Sequence, residues 1–203
     1  ITFKRVPMES SFEDLINSYL ETKVGIANNF LSADLAKNLA SNIISLHNQN
    51  KMRPAGTGSA GQVLHDKKNR GDAILWLDRS HNNKDENDFF DRIDTFVAYL
   101  NEQCYTGIKS YEFHYTLYEP GTFYKRHLDQ FQNSNNRAFS IITYLNVDWK
   151  QSDGGELSIY HPSSEQRIEP TNRKTVFFKS NELEHEVLPT HATRLSITGW
   201  LKT

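Results

Sequence analysis

Cysteine occurs once in the 203 residues, at position 104. One thiol cannot build an intramolecular disulfide framework, and such usage fits a reducing compartment, so a cytoplasmic location is expected. Long apolar runs are missing too: none approaches the roughly 18 residues a membrane helix needs. Nor does one sign of charge dominate, since 23 Lys and Arg face 25 Asp and Glu for a net −2. That balance argues against a general binder of nucleic acid or anionic membranes. The visible start, ITFKRVPMES, has no apolar core and does not read as a signal peptide. No repeat or low-complexity tract interrupts the chain. At roughly 150 residues per domain, one domain over residues 1–203 is expected, large enough to fold without disulfides.

The first half reads as helical support, over 1–54 and 85–104. Phe12, Leu15, Ile16, Tyr19 and Leu20 fall on one stripe of a helix. Ser32 is placed to cap a second helix carrying Leu35, Leu39, Ile43 and Leu46. A third, over 87–104, aligns Phe89, Ile93, Phe96, Val97 and Leu100, with Asp85, Glu86 and Asp88 at its positive dipole end. Cys104 at its end reads as buried. From 111 to 203 the pattern changes to short runs rich in β-branched and aromatic residues, at 113–118, 138–146, 156–160, 174–178 and 194–201, with 73–77 a further strand candidate. Segments such as Glu119-Pro120-Gly121 and Asp153-Gly154-Gly155 separate them as turns. Many short strands without alternating helices predict an α+β protein whose core is an antiparallel sandwich or jelly roll.

His127 and Asp129 form a His-x-Asp pair, and in an extended segment both side chains point to one side. His185 follows 58 residues later in a stretch of strand character, and Arg194 nine residues after that opens Arg-Leu-Ser-Ile-Thr-Gly-Trp. Alternation puts Arg194, Ser196, Thr198 and Trp200 on one face of that strand, Leu195 and Ile197 on the other. An arginine so flanked by core-type residues is costly to bury unless it meets an anion. Tyr144, in mid-strand, is placed to offer a phenol to the same anion. Two imidazoles and one carboxylate with open positions suit non-haem Fe(II), and an arginine fork suits the distal carboxylate of a 2-oxo diacid. A zinc hydrolase using the same three side chains, and a jelly-roll binding module without activity, remain as competing readings. The other histidines, His114 among them, have no partner at ligand spacing and read as satisfied or solvated. Tyr124 reads equally as cleft lining or core.

From about Ala55 to Leu201 the chain resembles the prolyl-hydroxylase family of 2-oxoglutarate/Fe(II) dioxygenases, its hypoxia-sensing members and bacterial relatives above all. The resemblance rests on Arg70-Gly71-Asp72 with Trp76; Tyr118-Glu-Pro-Gly121 leading to Tyr124-Lys-Arg-His127-Leu-Asp129; Arg137; Ile142 to Trp149; Gly154-Gly155-Glu-Leu157; and His185 through Trp200. It implies a double-stranded β-helix buttressed by the N-terminal helices. It also implies Fe(II) on His127, Asp129 and His185, with 2-oxoglutarate and O2 as co-substrates and ascorbate as a reductant. Arg194 would meet the distal carboxylate, assisted by Tyr144 and Thr198, with Tyr118 near the chelating end. Arg137, Trp200 and Asp72 would lie toward the substrate, and 56–69 would be a mobile gating loop. The implied reaction hydroxylates a prolyl residue in a Pro-containing protein as 2-oxoglutarate becomes succinate and CO2. The same chemistry on a free amino acid or other small molecule is the alternative. The chain departs from the hypoxia-type pattern just after Asp129, at Gln-Phe-Gln-Asn-Ser-Asn-Asn.

Overall fold

A computed structural model describes residues 10–56, 69–129 and 136–203. Along the chain run α1 (Ser10–Thr22), β1 (Gly25–Ala27), α2 (Ala33–Asn48), β2 (Arg53–Pro54), β3 (Ala73–Trp76) and α3 (Lys84–Cys104). Then follow β4 (Ser110–Tyr118), β5 (Tyr124–His127), β6 (Arg137–Tyr144), β7 (Leu157–His161), β8 (Ser164–Ile168), β9 (Thr175–Lys179), β10 (Glu184–Val187) and β11 (Arg194–Lys202). None of the described helices is long and apolar enough to cross a membrane.

The helices form where the apolar stripes predict. Ser32 caps α2 by accepting from the Leu35 amide, and α3 begins at Lys84, three residues earlier than its stripe suggests. Asn83 sets that start, its Oδ1 accepting from the Glu86 amide at 3.1 Å. A side chain reaching back over the first turn satisfies an amide that apolar periodicity does not register. Cys104 is exposed, contrary to the expected burial. It is the last residue of α3, and the next residue, Tyr105, turns the chain away in the left-handed region with φ 53°.

A seven-stranded sheet runs β1-β9-β6-β11-β4-β3-β2 and a four-stranded sheet β5-β10-β7-β8. Every pairing within them is antiparallel. This is the expected α+β jelly roll, a double-stranded β-helix. Alternation gives the large sheet two apolar faces with different partners. Phe113, Tyr115, Leu117, Ile141, Phe177, Leu195, Ile197 and Leu201 pack with Phe12, Leu15, Leu39, Ile43, Phe89, Ile93 and Phe96 of the helices. Tyr118, Ile142, Tyr144, Val176 and Phe178 pack instead with Leu157, Ile159 and Val187 of the small sheet. Gly199 leaves room for its neighbouring strand β4. A Cβ there would stand 2.2 Å from the Phe113 ring and 2.3 Å from the Glu112 carbonyl oxygen.

Three strands escape the sequence patterns. β1 and β2 are too short to show a period, and Ser164-Glu-Gln-Arg-Ile168 of β8 is polar because it is the outer strand of the small sheet.

Candidate active site

The cleft between the sheets inherits its side chains from strand register. On the large sheet Arg194 stands opposite Tyr118, Ser196 opposite Thr116, Thr198 opposite His114 and Trp200 opposite Glu112. β3 extends these rows, with Ile74 opposite Thr116 and Trp76 opposite His114. From the small sheet, His127 of β5 lies directly opposite His185 of β10. Asp129 follows two residues beyond His127. Arg194, Tyr118, Thr198, Trp200, Arg137, Asp72, His127, Asp129 and His185 all border one cavity of about 180 Å3.

His127, Asp129 and His185 each offer a ligand atom, and these atoms lie within 4.8 Å of one another. The Nε2 atoms approach the two Asp129 oxygens at 3.4 Å (His127) and 3.5 Å (His185). Each ring is turned by its other nitrogen, since a carbonyl can only accept: Nδ1–H of His127 donates to Lys125 O at 2.7 Å, and that of His185 to Leu183 O at 3.2 Å. Both Nε2 lone pairs are thereby left for an electrophile, the outer-shell arrangement common around metals. Ser140 fixes the carboxylate by donating to Oδ2 at 2.6 Å, and its hydroxyl also meets that of Ser180. Burial pushes the His185 pKa down to about 4, against the pull of Asp129. Burial would raise Asp129, but the His185 and His127 imidazoles and the Ser140 hydroxyl hold it well below the usual carboxylate range. A neutral imidazole and an ionised carboxylate are the forms that ligate a cation.

Deeper in, Arg194 is 1% exposed. Its Nε donates to the Gly155 carbonyl at 2.8 Å, while Nη2 is buried with no hydrogen-bond partner. Gly155 (φ +66°) makes the approach feasible, since a Cβ there would sit 3.1 Å from Arg194 Cδ. The guanidinium carbon stands 5.1 Å from the Tyr118 ring centre and 5.0 Å from that of Tyr144. Tyr144 sits beside the guanidinium rather than on the cavity wall, and its hydroxyl is also buried without a partner. Burial pushes its pKa up to about 12, Arg194 opposing, so the phenol keeps its proton. A buried cation and a buried phenol, both with donors to spare, fit an anion at this end.

At the mouth, Arg137 stacks on Trp200, its guanidinium carbon 3.6 Å from the ring centre, and pairs with Glu112 at 2.7 Å. Asp72 borders the cavity with both carboxylate oxygens held by Arg70, at 2.7 and 2.6 Å. Arg70 in turn covers the Tyr124 ring at 4.1 Å, and that ring stacks on His127 at 3.7 Å between centroids. Tyr124 thus both lines the cleft and packs against the core between the sheets. The expected gating loop falls largely, and the segment 130–135 after Asp129 wholly, outside the described residues.

Sequence reasoning passed over Ser140 and Ser180, and it read His114 as satisfied or solvated without placing it at the cleft. The serines carried no signal, being small polar residues whose meeting depends on sheet geometry. His114 carried one in retrospect: alternation from Thr116 and Tyr118 puts it on the same face.

Two packed antiparallel sheets enclosing a His–Asp–His group, with an arginine buried behind it, are the hallmark of the 2-oxoglutarate/Fe(II) oxygenase class. A family model described as the 2OG-Fe(II) oxygenase superfamily matches residues 113–202, from β4 to the end of β11. A Pseudomonas putida prolyl-4-hydroxylase superposes with a TM-score of 0.84 and 31% identity, over 94% of this chain and 98% of that one. The chain belongs to the prolyl-hydroxylase family of these oxygenases. A prolyl hydroxylase from Trichoplax adhaerens shares the fold, at TM-score 0.81 and 24% identity over 94% of this chain and 88% of its own. Human Egl nine homolog 1 is 28% identical over 200 residues, 86% of this chain. The chain spans 42% of that relative's length, and 25% and 21% of the rat and mouse proteins of the same name.

Proposed function

We propose that the protein is a dioxygenase that hydroxylates a prolyl residue of a protein substrate while converting 2-oxoglutarate to succinate and CO2. The supporting observation is a cavity with two chemically distinct ends: a His–Asp–His group at one and, at the other, Arg194 with an unsatisfied donor and the unpaired Tyr144 phenol beside it. A dicarboxylate with a 2-oxo group matches both. A zinc hydrolase would have no use for the second.

His127, Asp129 and His185 would hold Fe(II), Ser140 keeping the carboxylate in place. Iron with O2 and 2-oxoglutarate supplies the oxidising power for C–H hydroxylation, with ascorbate as a reductant that keeps the metal ferrous. Arg194 offers Nη2–H and Tyr144 its hydroxyl to the distal carboxylate, with Thr198 farther up the same face. Tyr118, kept neutral because burial raises its pKa well above the ordinary value, offers a phenol nearer the metal. Arg137 and Trp200 frame the substrate entrance, and Asp72 acts there through Arg70. The Trichoplax adhaerens structure is a complex with a hypoxia inducible factor peptide fragment, which favours a peptide over a free amino acid.

The test is an anaerobic titration with Fe(II) and 2-oxoglutarate, followed by incubation in air with Pro-containing proteins and peptide mass analysis. Iron-dependent co-substrate binding and the gain of one oxygen on a prolyl residue are expected. Binding without iron overturns the metal assignment. Oxygen gained by free amino acids alone overturns the protein substrate.

A further inference from the structure

Resting on that reading, we propose that His114 and Trp200 form an acceptor–donor pair gripping the backbone of one extended residue of the peptide substrate. His114 Nε2 would accept that residue's N–H, and Trp200 Nε1–H would donate to its C=O.

Three histidines border the cavity, and His114 is the one outside the metal-capable group. It is buried in mid-strand, its ring edge-on to Trp76 at 5.1 Å and tilted against Trp200 at 5.6 Å between centroids. Its Nδ1 lies 3.1 Å from Tyr115 O and 3.0 Å from Thr116 Oγ1. A carbonyl only accepts, so Nδ1 carries the proton. The Thr116 hydroxyl is then free to donate to Thr198 Oγ1, at 3.4 Å. This consistent assignment leaves Nε2, the far end of the ring, as a bare lone pair with no partner among the described residues. Burial lowers the His114 pKa to about 4, so the neutral form prevails at ordinary pH.

Trp200 Nε1 is the complementary orphan, a buried donor without a partner. A buried donor rarely stays unpaired, and Trp200 Nε1 with the open His114 acceptor beside it on one wall suits a ligand that brings both complements. An extended residue does so, because its own N–H and C=O point to the same side. Trp76, 47% exposed beside them, and Leu128, 40% exposed, supply apolar surface for the side chains that flank such a residue. A prolyl residue has no N–H, so the residue gripped is a neighbour of the target. That requirement makes the pair a determinant for a chain over a free amino acid.

The probe is a Pro-containing peptide that the wild-type enzyme hydroxylates, with versions in which each amide N–H in turn is replaced by an ester oxygen. His114→Leu should raise the peptide KM about 3- to 10-fold, the worth of one neutral hydrogen bond. Trp200→Phe should do likewise. His114→Gln, which returns an acceptor, should recover most of the loss, and Mn(II) and 2-oxoglutarate affinities measured by calorimetry should not move. One ester position should cost the wild type the same factor and cost His114→Leu nothing more. If every ester costs both enzymes equally, or if His114→Leu weakens 2-oxoglutarate instead of peptide, the pair is refuted while prolyl hydroxylation stands. If free amino acids are oxidised and no peptide is, the protein-substrate reading falls and the pair with it.

Discussion

Replacing Arg194 with methionine removes the charge at the deep end of the cavity and keeps much of the apolar stem. Nε is already committed to Gly155 O, so Nη2 is the donor still open to a ligand. One charge-assisted hydrogen bond is worth about 1.5–3 kcal/mol, which converts to roughly a 10- to 150-fold rise in the dissociation constant of 2-oxoglutarate. The unliganded protein should respond in the opposite direction. Among the described residues no carboxylate pairs with Arg194, and a buried unpaired charge is costly, so Arg194→Met should melt at the wild-type temperature or above it. Thermal melting of the Mn(II)-loaded protein reads both effects. At about 100 times its dissociation constant, 2-oxoglutarate should stabilise the wild type by about 2.7 kcal/mol, and the same concentration should stabilise the variant by only about 0.3–1.4 kcal/mol. An unchanged ligand-induced shift, together with an unchanged KM for 2-oxoglutarate, would refute the placement of the distal carboxylate at Arg194.

Four further outcomes are expected. Asp129→Ala should abolish substrate-coupled succinate production, and near wild-type turnover by the purified variant would reject Asp129 as a ligand. Ser140→Ala should weaken Mn(II) binding about 10- to 100-fold by freeing the Asp129 carboxylate, and an equal affinity in calorimetry would show that the 2.6 Å contact does not orient it. Gly199→Ala should destabilise the fold by about 1–3 kcal/mol or more, because the Phe113 ring and the Glu112 carbonyl must move; an unaltered Tm would contradict that packing. With the His114 pKa near 4 when folded against an ordinary 6.5, the unfolded chain binds the extra proton. Its stabilising effect is therefore complete above about pH 6.5 and fades as pH falls toward 4, by up to ~3 kcal/mol. Urea titrations at several pH values in this window should show a shallower acid slope for His114→Leu, and parallel slopes would overturn the burial argument.

The helices were legible because their stripes serve one purpose, packing on the sheet, and that purpose writes a period into the sequence. Leu195 and Ile197 announced the helical side of β11 in the same way, and Arg194 and Thr198 the cleft side. What the chain could not reveal is pairing across strands. That His127 faces His185, or that His114 lies between Trp76 and Thr198, depends on register set by turns and by strands as short as β3 and β5. Polar β8 and the cap at Asn83 stayed hidden because neither is built on apolar periodicity. Cys104 misled for a related reason: residue type suggests burial, but a helix end has no neighbour to provide it.

β5 is four residues long and lies at the border of the small sheet, paired there with β10, and its other side is tied by a short contact in which Tyr124 bridges Arg70 and Lys125 N–H donates to Asn69 O. The exposed Arg126–Glu184 ion pair adds little, about 0–1 kcal/mol at such a site. An ion gripped at once by His127 and His185 would act as a clasp between the two strands, fastening this border from within. Amide hydrogen exchange in β5 should accordingly slow on metal loading far more than in β11, which is already stitched on both sides. Metal occupancy would thereby set how long the cleft wall survives before it opens.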